Sequence, residues 1–165
     1  QSRSRQLVEF NQGIIEILPE PSAQHTAMVN YLFDRLSDFV ADQSAAGQII
    51  KAPAYLQVDE NVVRAPDLMF VPDSTNTATV HTGAEFVLEV VSRGDHIRDL
   101  ETKRKEYAAA GVKEYWVFDP RLNKIRQLLL NRGRYQTKSV IGAGGTAVSQ
   151  QLPAFQISAD EVFNI

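Results

Sequence analysis

Cysteine is missing altogether from the 165 residues, which excludes disulfides, thiolate zinc sites and cysteine nucleophiles and leaves oxygen or imidazole to hold any metal. The composition suits a reducing cytoplasm. No apolar run approaches the roughly 20 residues that cross a bilayer, and the polar opening Gln1-Ser2-Arg3-Ser4-Arg5 is not followed by an apolar signal core. A soluble protein without membrane contact is expected. The chain opens on glutamine rather than methionine, so a short upstream segment is also expected. Positive charge is in short supply as well. A formal net charge of -3 argues against a general nucleic-acid coat protein, whose affinity comes from Lys and Arg neutralising phosphates, without excluding a nuclease. Even the stretch 93–105 sets Arg93, Arg98, Lys103, Arg104 and Lys105 against Asp95, Asp99 and Glu101, with His96 able to add charge. A phosphate-cradling loop is absent too, since Gly142-Ala143-Gly144-Gly145 lacks the lysine and helix context of one.

What is present, 44% hydrophobic and 22% charged residues, fits one globular domain over residues 1–165 with a real core. Leu7 to Phe10 and Ile14 to Leu18, around Asn11-Gln12-Gly13, read as an N-terminal hairpin ended by Pro19 and Pro21. Ser22 can cap a helix that puts His25, Met28, Val29, Leu32, Phe33, Leu36, Phe39 and Val40 on one face until Gly47 closes it. From Gln48 to Val71 short β-rich runs alternate with turn residues, as in a meander. A polar loop to Gly83 leads to the strand Ala84 to Val91, whose apolar run marks it as central. A second helix spans about Ile97 to Ala110, with Gly111 as its left-handed terminator. Glu114 to Phe118 is a strand, Lys124 to Leu130 and Arg134 to Ser139 form a hairpin, Gly142 to Gly145 is a flexible break, and Ser158-Ala159-Asp160-Glu161 is a capping box before a terminal turn of helix. The class is α/β, with a mixed β-sheet flanked by helices.

Two acids stand out. Asp67 follows Pro66 at the head of Leu68-Met69-Phe70-Val71, and Glu89 interrupts an otherwise buried strand. A hard cation such as Mg2+, with Mn2+ as its substitute, takes one or two carboxylates and fills its shell with water and substrate oxygens. Asp67 and Glu89 supply the carboxylates, the backbone carbonyl of Val90 or Val91 a third oxygen, and Lys103 an amine for the scissile phosphate or the attacking water. Taken singly, each has an ordinary reading that outweighs the chemical one: Asp67 as a turn cap, Glu89 as partner of a buried arginine, Lys103 as a solvated helix lysine. The constellation argues otherwise.

Pro66-Asp67 followed by Glu89-Val90-Val91 resembles the PD-(D/E)XK nuclease superfamily, whose usual signature places a lysine two residues after the acid, where this chain has Val91. More narrowly, Glu89-Val90-Val91-Ser92, Asp99, Lys103, Tyr107, Gly111-Val112 and Glu114 to Pro120 resemble the uncharacterised restriction endonucleases abundant in cyanobacterial genomes. The likeness extends more loosely to Glu9, Gly13, Pro21 and His25. In that family the missing strand lysine is replaced from the following helix, and the matching residue is Lys103. The resemblance implies a restriction-endonuclease-like core and metal-dependent hydrolysis of DNA phosphodiester bonds; a homodimer is one way for such an endonuclease to cut both strands.

Around this trio, His25 matches a family position that can face the site, although a helix-start histidine bonding the backbone is the leading alternative. Ser92 serves a ligand or, more ordinarily, caps the turn. Asp99 can orient Lys103 by an i to i+4 ion pair. Arg64 and Arg98 are the candidates for phosphate contacts, while Tyr107, Tyr115 and Trp116 suit core packing better than base stacking. Two rival functions stand beside a DNA endonuclease. One is a catalytically inactive nuclease-fold module that binds nucleic acid or protein, favoured by the acidic net charge. The other, ranked last, is a metal hydrolase for a small phosphorylated compound.

Overall fold

A computed structural model describes residues 6–43, 46–92 and 97–165, the side chains of 97–99 excepted. Thirteen strands and three helices make up the described chain. β1 (Val8–Asn11) and β2 (Ile14–Ile17) form the N-terminal hairpin, whose turn places Gln12 and Gly13 at positive φ, 49° and 89°; Asn11, expected to share that role, pairs within the strand. α1 (Ala23–Asp42) follows, capped by the Ser22 hydroxyl, which accepts the His25 N–H at 3.1 Å.

The next four strands depart from a meander. β3 (Gln48–Lys51) and β6 (Leu68–Val71) pair with each other, whereas β4 (Tyr55–Asp59) and β5 (Val62–Arg64) pair together and join the hairpin through β1. One sheet therefore runs β2-β1-β5-β4 and ends on β7 (Val80–His81), a strand of two residues that alternation could not reveal. The other, six-stranded sheet runs β11-β10-β9-β8-β6-β3, where β8 is Phe86–Val90, β9 Glu114–Asp119, β10 Lys124–Asn131 and β11 Arg134–Ile141. β8 is fully buried and central, as its composition predicts. It lies parallel to β9, a pairing that requires a crossover, and α2 (Ile97–Ala109) makes it.

Both faces of this sheet are covered. Leu68, Phe70, Phe86, Leu88, Trp116 and Phe118 pack toward Leu32 and Leu36 of α1. Alternation turns Met69, Val71, Val87 and Tyr115 to the opposite face, where Tyr107 of α2 and Leu56 of β4 meet them. The expected break at Gly142 is a turn closed by the Gly145 N–H on the Gly142 carbonyl at 2.9 Å. Beyond it, β12 (Thr146–Val148) and β13 (Gln156–Ser158) form a small extra ribbon leading into α3 (Ala159–Phe163), capped by Ser158. Gly47 does not terminate α1, which ends on the cap residue Gln43. It sits at φ 156° against the second sheet, where a Cβ would fall 2.4 Å from a Phe70 ring carbon and 2.9 Å from the Val71 carbonyl oxygen. Only hydrogen fits there.

Candidate metal and nuclease site

The antiparallel register of β6 and β8 sets Leu68 opposite Leu88, so Asp67, one residue before β6, comes abreast of Glu89. Asp67 is tied to the neighbouring strand: its Oδ2 accepts the Val90 N–H at 2.7 Å. The same oxygen lies 3.2 Å from Nε2 of His25, which α1 brings in on its first turn. Glu89 alternates with Leu88 and Val90 and therefore faces α2 rather than α1. There Lys103 and Tyr107, one helical turn apart, both donate to Glu89 Oε1, at 3.1 and 2.7 Å.

Burial pushes the Glu89 carboxyl up to about 7, against the Lys103 ammonium and the Tyr107 hydroxyl, which favour the anion, and with the negative charge of Asp67 and Glu9, which opposes it. Burial also works to discharge Lys103, but Glu89 and Glu9 overrule it and raise the amine above the ordinary lysine range. The carboxyl is thus the member of the pair that takes up a proton near neutrality. Tyr107 is pushed well above its usual value, first by burial, and stays a donor.

Asp67, Glu89, Val90, Lys103, His25 and Ser92 all border one cavity of about 590 Å³. Lys51 joins them on its wall, with its Nζ on the neutral Asn30 Oδ1 at 3.0 Å. Val90, expected to offer its carbonyl, meets Asp67 through its N–H. Arg64 is a correction to the expectation of a phosphate contact. Its side chain is 4% exposed, with Nε and Nη2 each 2.7 Å from the two Glu106 oxygens and Nη1 3.0 Å from Glu9 Oε2. No donor face remains for substrate. The side chains of Arg98 and Asp99 lie outside the described residues.

Sequence reasoning missed the role of Glu9, whose Oε1 accepts the Ala65 N–H at 3.1 Å and sits 3.4 Å from Lys103 Nζ. The signal existed. Glu9 is an acid in the middle of Leu7-Val8-Glu9-Phe10, the same anomaly that singles out Glu89. Tyr107 packs in the core as expected and also holds Glu89.

Among the described residues, Asp67 Oδ1 and Glu89 Oε2 carry no hydrogen bond, and no group of three or more His, Cys, Asp or Glu side chains could hold a metal. Two open carboxylate oxygens from residues on the wall of one cavity suit a hard cation that keeps most of its water, not zinc, which asks for three or four protein ligands.

A family model, Uma2, described as putative restriction endonuclease, matches residues 2–160. No curated protein matches the sequence. Among solved structures, the chain aligns with the crystal structure of a putative nuclease belonging to DUF820 from Anabaena variabilis ATCC 29413. The TM-score is 0.81 at 13% identity, over 99% of this chain and 93% of that one. At that identity the likeness shows a shared fold, and the expected α/β architecture of the restriction-endonuclease type is borne out.

Proposed function

The chain belongs to the Uma2 family of putative restriction endonucleases, and from that premise we propose that it is a Mg2+- or Mn2+-dependent DNA endonuclease whose reaction is carried by Asp67, Glu89 and Lys103. The observation that carries this reading is a carboxylate at the head of β6 and another on the adjacent β8, with an amine 3.1 Å from the second, at the edge of one cavity. Asp67 and Glu89 would hold the cation. When bound, it supplies Lewis-acid stabilisation of the charge that builds on the phosphate and eases deprotonation of water.

The chain's own groups do the rest. The Val90 N–H and His25 fix Asp67 against rotation. Lys103 donates to a non-bridging oxygen of the scissile phosphate and draws the attacking water by its charge. The attacking water gives up a proton to bulk solvent as its oxygen bonds to phosphorus, the ester bond opposite breaks, and the leaving oxygen takes a proton from solvent. Cleavage of both strands takes two copies of the chain.

Plasmid nicking in Mg2+ or Mn2+ tests the assignment. Wild type is expected to nick; Lys103→Ala keeps cation binding but loses turnover, and Asp67→Ala or Glu89→Ala loses both. Activity surviving in all three variants overturns it. The second reading, a silent module binding nucleic acid or protein, draws its support from the net charge of -3. A magnesium titration that evolves no binding heat would favour it.

A further inference from the structure

We infer that Glu9, on the N-terminal hairpin, is a positioning residue that holds the Lys103 amine in the site; the inference deepens the nuclease reading above and rests on it. Lys103 Nζ lies between two carboxylate oxygens, Glu89 Oε1 at 3.1 Å and Glu9 Oε1 at 3.4 Å. Glu9 is itself 3% exposed and cannot turn away. One of its oxygens is held by the Ala65 N–H at 3.1 Å, the other by Arg64 Nη1 at 3.0 Å. Arg64 is in turn clasped by both oxygens of Glu106, on the same helix as Lys103.

Charge explains why two acceptors are needed. The ionised carboxylates of Glu9, Asp67, Glu89 and Glu106 outnumber the cations Arg64 and Lys103 among them, even with His25 adding a positive charge beside Asp67. Glu16, on the exposed side of Arg64, is 43% exposed and largely answered by solvent. If Glu89 gives its charge to a cation, its hold on Lys103 weakens and the cation repels the ammonium at close range. Glu9 is a second anion that no cation at Asp67 and Glu89 claims. It keeps the amine beside the carboxylates through turnover.

The test compares wild type with Glu9→Gln, well below their melting temperatures. Acylation of Lys103 by a small amine-reactive reagent is followed by mass spectrometry, with the exposed Lys113 as internal reference. Glu9→Gln is expected to raise Lys103 labelling severalfold. It should also lower kcat for plasmid cleavage by about 10- to 100-fold, the scale of a misplaced reacting group, with KM unchanged. A merely structural Glu9 would lower the melting temperature without changing relative labelling; that result, or an unchanged kcat, overturns the inference. Should Glu9→Gln fail to fold, Glu9→Asp keeps the charge beside Arg64 while shortening the reach to Lys103, and the same gain in labelling is expected. A wild type that binds cation but never cleaves sinks the nuclease reading, while labelling still decides whether Glu9 restrains the amine.

Discussion

Glu89 receives two donors on one oxygen and two negative neighbours nearby, and burial decides the balance by lifting its carboxyl to about 7. The ordinary value is 4.5, so folding favours the protonated form. The sign follows from linkage: the stabilisation from this group is fully present below 4.5 and is lost as pH rises through about 7. In protein stripped of divalent cations, wild type should therefore gain stability relative to Glu89→Gln as pH falls through that window. Urea titrations across it are the check, and a flat difference contradicts the assignment. Arg64 teaches the reverse lesson about reading residues. An arginine near two acids suggests a phosphate contact, but only the docking of β1 on β5 and the approach of α2 bring Glu9 and Glu106 onto its guanidinium.

Elements whose signal is local were legible. α1 was readable from its apolar face and its cap, and the hairpins at Gly13 and Gly133 from turn residues that take positive φ. Ser22→Ala should cost about 1 kcal/mol by leaving the His25 N–H without its acceptor. Thermal unfolding reads that loss, and an unchanged melting temperature would mean the cap carries no weight. Pairing partners were not legible. β4 and β5 are short β-rich runs like their neighbours in sequence, and nothing in those residues says that they leave the sheet that β3 and β6 enter. β7, β12 and β13 are two or three residues long, below the length at which period-2 alternation can be recognised. The acids were legible because a charge in a buried strand is anomalous; their shared oxygen partners came only with register and helix packing.

At the scale of the molecule, the candidate site joins residues from β1, the head of β6, β8 and α2, so it exists only in the folded chain. A cation seated on such a site stabilises the native state by mass action, by about 2.7 kcal/mol at one hundred times its dissociation constant. Mg2+ should raise the melting temperature of wild type and leave that of Asp67→Ala where it was; an equal rise in both would place the ion elsewhere. Among the described residues no helix is long and apolar enough to cross a membrane. The amine rides on a helix, while the two acids are fixed to a sheet buried on both faces. On the proposed nuclease reading, the ion would sit on the sheet and the amine would come from the helix packed against it, so a tilt of α2 is expected to act as a throttle, slowing cleavage more than it loosens the ion.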